Sequence, residues 1–130
     1  MKKLPLILLL APGLLIGADL PDFRTSDILV LQDGFIALKI ENSADMDCLL
    51  TPQARDKVFL SLAINGVKRA EYKAKAMDPT IFLRRSFIVF KTNFRAGQPL
   101  HIRVELNVEK AVPEADLGNN ILEKDLQAPI

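Results

Sequence analysis

The sequence predicts an all-β protein, a sandwich of seven antiparallel strands that follows an N-terminal signal peptide. Apolar residues recur mainly at every second position from residue 19 onward, which is the period of a strand with one buried face. Short segments of this kind are separated by turn-forming Gly, Pro and Asn residues, as in sandwich folds. An uncharged apolar run behind two lysines opens the chain and has the layout of an export signal.

The first eighteen residues are expected to be removed on export. Lys2 and Lys3 precede the uncharged stretch 4–16, and the small residues Gly17 and Ala18 favour cleavage after Ala18. The alternative is a membrane anchor, but the stretch is shorter than the roughly 20 residues of a spanning helix and contains Pro and Gly. No cysteine stands at the cleavage site, where a lipid would be attached. We therefore expect a bacterial protein that is periplasmic or secreted, without stable membrane insertion.

Residues 19–130 are expected to form one domain. Removal of the signal takes away two lysines, which leaves 15 basic and 16 acidic side chains and a net charge of −1. This balance argues against nucleic acid as a partner, because such binders need a concentrated basic surface. The sequence contains no glycine-rich phosphate loop, paired-cysteine metal spacing or nucleophile elbow, so we expect neither an enzyme nor a bound cofactor.

Seven segments carry the strand pattern. They are residues 26–32, 36–40, 58–64, 67–74, 86–92, 101–108 and 120–126. The alternation is clearest in 101–108, where Ile102, Val104, Leu106 and Val108 are separated by polar residues.

Local sequence also predicts how these segments are joined. Asn65-Gly66 supplies the positive φ angles of a two-residue hairpin turn, and Asp33-Gly34 is expected to turn the first strand into the second. The loop 44–56 is the best place for a helix of one or two turns. The consecutive apolar residues 87–90 predict a strand that is covered on both faces or turns between sheets.

Four short segments stand out from the strand pattern: 19–22 (DLPD), 40–43 (IENS), 62–66 (LAING) and 112–120 (VPEADLGNN). They resemble the CARDB family of immunoglobulin-like domains, named for cell adhesion in bacteria. The resemblance extends in layout over the whole of 19–130 and implies a seven-stranded immunoglobulin-like β-sandwich. It further implies an extracytoplasmic, non-enzymatic module that binds or spaces other proteins.

The segment 112–120 also gathers oxygen-bearing side chains. Glu114, Asp116, Asn119 and Asn120 offer oxygen ligands of the kind that calcium prefers. The alternative, which we favour, is that the two asparagines cap and turn the backbone, since the loop lacks the dense alternating Asp pattern of dedicated calcium sites.

Cys48 is the only cysteine, so it cannot form an intramolecular disulfide. We expect a buried, unreactive thiol because no neighbouring cation in sequence lowers its pKa; the alternative is a reactive thiol that pairs with a partner. The soft and borderline metal ligands are Cys48, Met46, Met77 and His101, and they lie in separate segments of the sequence. His101 is expected on the wet face of its strand.

Two further groups are candidates for contact with a partner. Arg84 and Arg85 make the start of the fifth strand basic, and Lys68 and its neighbours do the same for the hairpin. Basic residues at an exposed, solvated sheet edge would account for both groups, and the alternative is that they bind an acidic partner. Phe59 falls out of phase with the predicted core, so it either fills an end of the sandwich or belongs to an exposed docking patch.

The sequence therefore favours an exported interaction or adhesion module. Its contact surface is expected in the loops or at an exposed sheet edge, where unpaired backbone groups provide affinity. The partner is expected to be another envelope or surface protein, or a second subunit of the same kind. The alternative is a small periplasmic metal-handling or carrier protein.

Overall fold

The computed structural model describes residues 20–114, 118 and 120–127. The expected signal peptide and the candidate residues Asp116 and Asn119 lie outside the described residues. These described residues contain seven strands: β1 (Phe23–Val30), β2 (Phe35–Asn42), β3 (Val58–Ile64), β4 (Val67–Lys73), β5 (Ser86–Arg95), β6 (Leu100–Leu106) and β7 (Ile121–Leu126). The one α-helix of the described chain, α1 (Pro52–Arg55), lies in the predicted loop, and two 3₁₀ turns, Ala74–Ala76 and Pro79–Phe82, connect β4 to β5.

The strands form two sheets, and the predicted sandwich is confirmed. One sheet has the order β1-β2-β5 and the other the order β4-β3-β6-β7. Every pair of bonded neighbours is antiparallel. Asn65 and Gly66 have φ values of 52° and 84°, the left-handed conformation that the β3–β4 hairpin turn requires.

The inner faces of the sheets supply the core. Leu38 and Ile40 of β2 face the other sheet, which contributes Leu62 of β3 and Ile102 and Val104 of β6, all with 0% exposure. Burial of each such side chain stabilises the fold by roughly 1.5–3 kcal/mol relative to exposure. The alternate apolar residues that identified these strands in the sequence are therefore the residues that form the core.

Phe59 lies in this core, and its assignment to an exposed docking patch is wrong. Its exposure is 0%, and its ring makes edge contacts with Phe23 and Phe82 at centroid distances of 5.0 and 5.4 Å. The β3–β4 register shifts between Val58 and Leu60, which allows two consecutive residues of β3 to be buried. Phe59 thus closes one end of the sandwich, the first of the two alternatives.

In β5, by contrast, side chains that were predicted to be covered are exposed. Phe87 and Val89 are 59% and 52% exposed, so the strand is covered on one face only. Ile88 is buried between them. The run of apolar residues therefore belongs to a strand with one buried face and a partly apolar outer face. The expectation that both faces are covered is wrong.

Two strand ends also differ from the prediction. β1 begins at Phe23, three residues earlier than expected, because it pairs with β2 as far as Asn42. β6 ends at Leu106, since Asn107 has a φ of 53° and leaves the extended conformation. Val108 is consequently outside the strand. Within the described part of the chain, no helix has the length and apolar character needed to cross a membrane.

Candidate functional site

One lateral side of the sandwich, between β1 and β7, is closed by side chains. Lys124 Nζ donates to Asp27 Oδ1 at 2.7 Å and to the carbonyl of Ile28 at 3.0 Å. Asp27 Oδ1 also accepts the N–H of Ile28 at 2.8 Å. Both backbone groups of Ile28 are therefore occupied, and the β1 register shift between Thr25 and Asp27 further interrupts this edge. The Lys124 ammonium also lowers the pKa of Asp27.

On the opposite side, β4 and β5 are both edge strands. Tyr72 of β4 and Phe90 of β5 cover the interior there, with ring centroids 4.8 Å apart. β4 is lined with exposed charged residues, among them Lys68 and Lys73, which discourage pairing with another strand. The less protected edge is therefore that of β5.

The first half of β5 presents a regular edge. Residues from Ser86 to Lys91 pair with β2 without interruption, whereas the register shifts before Arg95. No other described strand pairs with β5. In an edge strand, alternate residues direct their N–H and C=O groups away from the sheet. The segment 86–91, which we call the β5 edge, can therefore accept a further strand.

The outer face of the β5 edge is apolar with one cation above it. Phe87 and Val89 project from it, and Lys39 Nζ of the neighbouring β2 lies 5.0 Å from the centroid of the Phe87 ring. Such a stripe can contact the side chains of an added strand while the backbone groups bond to it.

The two arginines before β5 are less available than the sequence indicated. Arg84 donates its backbone N–H and its Nε to Asp47 Oδ1 at 2.8 and 3.3 Å, and Arg85 Nε lies 3.5 Å from Asp45. The Arg84 backbone and guanidinium groups hold the pKa of Asp47 below its usual value. Both side chains remain well exposed, but their charge is balanced by the 43–51 loop.

Glu114, a candidate calcium ligand, is bound by protein donors. Its Oε2 accepts the backbone N–H of Phe23 at 2.8 Å, and its Oε1 accepts the side-chain amides of Asn107 and Asn120 at 2.8 and 2.7 Å. Burial raises the pKa of this carboxyl, although the three hydrogen bonds oppose the shift. The structure thus brings Glu114 and Asn120 together, in an arrangement that holds three chain segments.

Asn42 is a second structural hub, and the sequence reading did not single it out. Its exposure is 0%; Oδ1 accepts the N–H groups of Asp22 and Ala44, and Nδ2 donates to the carbonyls of Met46 and Leu83. The signal was present, because residue 42 is in phase with the buried positions of β2. A polar residue on a buried face must be hydrogen bonded.

Cys48 is half-buried, and burial raises the pKa of its thiol to about 12, with smaller contributions from Asp47 and Glu114. A thiol of this kind is rarely ionised at neutral pH, which is consistent with the unreactive interpretation. Among the other soft ligands, Met77 is buried and Met46 is exposed.

His101 lies on the wet face of β6, as predicted. Its Nδ1 is 2.7 Å from Asp125 Oδ1 and its Nε2 is 2.8 Å from Glu123 Oε1, both on β7. These carboxylates, Glu123 first, raise the pKa of His101. Within residues 20–114, 118 and 120–127, no group of three or more His, Cys, Asp or Glu side chains is arranged to hold a metal ion.

Comparison with protein-family models and with curated proteins finds no match. Among solved structures, the chain is similar to the CARDB domain of a Pyrococcus furiosus protein, determined in complex with di-metal ions. The TM-score is 0.54 at 12% sequence identity, and the alignment covers 85% of this chain and 94% of that chain. The chain has the fold of a CARDB domain. The resemblance found in the sequence is thus confirmed for the fold.

Proposed function

We propose that this chain is an exported, non-enzymatic protein-interaction module of the bacterial cell envelope, of the adhesion type, and that it binds through the β5 edge. The observation that carries the proposal is the contrast between the two lateral sides of the sandwich. At the β1 edge the backbone groups of Ile28 are occupied by Asp27 and Lys124. The β5 edge is regular, unpaired by any other described strand, and apolar on its outer face.

The mode of binding is addition of a partner strand. Backbone hydrogen bonds to residues 86–91 provide affinity, and contacts with Phe87 and Val89 provide selectivity for apolar side chains at alternate positions. The partner is a strand of another envelope or surface protein, or of a second copy of this chain. The fold supports this role because it presents sheet edges on a packed hydrophobic core.

The test is site-specific photocrosslinking in the cell envelope. A crosslinking amino acid at position 87 or 89 is expected to capture a defined partner, and the variant Val89→Lys is expected to prevent its capture from position 87. The matched control is Val67→Lys on the β4 edge, where the valine is similarly exposed. Equal capture with both lysine variants, or no capture at any salt concentration, would overturn the proposal.

Export is tested separately. The full-length chain is expected in the periplasm or the medium, with a mature N-terminus at Asp19 when sequenced. Retention of Met1 on a cytoplasmic protein would contradict this part of the proposal.

Metal handling is the second candidate, because the similar CARDB domain was determined with di-metal ions. In this chain the candidate ligands Glu114 and Asn120 are adjacent, and the Asn120 side-chain oxygen is buried without a hydrogen-bond partner. Calcium titration by calorimetry tests this directly. Micromolar binding that Asp116→Ala abolishes would support a calcium site, and absence of heat at millimolar calcium would exclude it.

A further inference from the structure

A cleft of about 460 Å³ opens near the end of β5, beyond the β5 edge. Its apolar lining includes Ile64 and Leu100, which are nearly buried, and the ring of Phe94. Arg69 and Arg95 also line it. Pockets for small ligands have volumes of about 300–1,000 Å³ and combine apolar walls with a few polar groups, so this cleft has a suitable size and lining.

Both guanidinium groups rest on aromatic rings. Arg69 Cζ lies 5.5 Å from the centroid of Phe94, and Arg95 Cζ lies 4.4 Å from the centroid of Phe35. A stacked guanidinium keeps its orientation while the N–H groups at its edge stay available for hydrogen bonds. The two cations are therefore partly preorganised.

Neither guanidinium forms an ion pair with a carboxylate of the described residues. Arg95 donates to the carbonyl of Asp33 at 3.1 Å, and the carboxylate of Asp33 is bound by Lys91 instead. None of the residues that line the cleft is acidic. Other arginines of the described residues differ; Arg24 and Arg84, for example, are paired with Glu41 and Asp47.

We propose that this cleft binds an organic carboxylate that carries an apolar chain. Arginine matches the planar, bidentate geometry of a carboxylate, and Ile64, Phe94 and Leu100 provide an apolar wall for the chain. The apolar lining favours such a ligand over an inorganic anion, which has nothing to bury. The carboxylate belongs either to a free acid or to the C-terminus of a peptide that ends in an apolar residue.

The test uses the mature protein and octanoate, with NMR signals of Gly97 and Leu100 as the readout. Octanoate is expected to shift these signals in a saturable way, and octanol and inorganic phosphate to bind about tenfold more weakly or worse. The double variant Arg69→Gln/Arg95→Gln is expected to lose tenfold or more in octanoate affinity. This loss is on the order of the contribution of one charge-assisted hydrogen bond. The matched control is Arg103→Gln, whose exposed side chain on β6 does not line the cleft.

The source of the carboxylate is distinguished with two peptides that end in leucine, one with a free carboxylate and one amidated. Tighter binding of the free-carboxylate peptide than of octanoate assigns the site to a protein C-terminus, and the reverse assigns it to a free acid.

The proposal would be overturned by equal binding of octanol and octanoate, by an unchanged octanoate affinity in the double variant, or by no shift at 10 mM octanoate. Val89→Lys leaves the cleft intact, so octanoate binding by that variant separates this site from the β5 edge.

Discussion

The carboxylate of Glu114 accepts the backbone N–H of Phe23 at 2.8 Å, across 91 residues of sequence. The preceding N–H, that of Asp22, is accepted by Asn42 Oδ1 at 3.2 Å. Two consecutive backbone donors at the beginning of β1 are thus held by side chains from distant turns. Both side chains come from segments that carry the CARDB resemblance, so the motif fixes the start of the first strand.

Replacement of Glu114 is expected to destabilise the fold strongly. Glu114→Ala leaves three N–H donors without their acceptor, which is expected to lower the free energy of unfolding by about 2–4 kcal/mol. Glu114→Gln keeps one acceptor oxygen and is expected to fall in between. Urea unfolding followed by circular dichroism measures both, with the exposed Glu71→Ala as control. A Glu114→Ala protein as stable as the control would contradict this role.

The two phenylalanines Phe59 and Phe87 are expected to respond oppositely to truncation. Phe59→Ala removes a fully buried ring and is expected to cost about 3–5 kcal/mol of stability. Phe87→Ala removes an exposed ring and is expected to change stability by about 0.5 kcal/mol or less. Thermal or urea unfolding of the pair checks this. Similar losses in both variants would show that the outer face of β5 is buried in solution.

His101 is expected to titrate above its ordinary pKa of 6.5, because Glu123 and Asp125 stabilise the imidazolium. Since the folded value is raised, the associated stability is fully present below the unfolded pKa. It is lost as the pH rises through the folded pKa. NMR titration of the imidazole measures the shift, which is expected to shrink in Glu123→Gln and in high salt, but not in Glu71→Gln. An unshifted pKa in the parent protein would disprove the ion pairs.

Cys48 is expected to resist alkylation in the folded protein. With a pKa of about 12, its thiolate is scarce at pH 8, and iodoacetamide is expected to react about tenfold or more slowly than with an exposed thiol. Ser43→Cys in a Cys48→Ser background provides that exposed reference. Unfolding in urea is expected to make Cys48 react at the reference rate. Equal rates in the folded proteins would show an accessible, reactive thiol.

Most of the sandwich could be predicted because its strands bury one face each. The alternation in β3 and β6 reports the core directly, and the Asn65-Gly66 pair reports a hairpin. β5 was harder, since Phe87 and Val89 are apolar but exposed. Periodicity alone cannot distinguish a strand covered on both faces from one with an apolar outer face.

The polar contacts depend on tertiary structure and were predicted less well. The bonds from Glu114 to Phe23 and from Asn42 to Leu83 join residues that only the folded topology brings together. Likewise, Phe59 is out of phase in the apolar pattern, and the pattern could not show that a register shift between β3 and β4 allows its burial. The acidic partners of Arg84 and Arg85 come from a loop about forty positions earlier.

The ion pair between Lys124 and Asp27 has a consequence for assembly size. By occupying the backbone groups of Ile28, it closes the β1 edge to a further strand at that residue. A unit with complementary flanks on both sides propagates into a fibre, whereas a unit with one flank has a valence of one. If the proposed strand addition takes place at the β5 edge, we expect it to end after one step, because the β1 edge offers no second regular site.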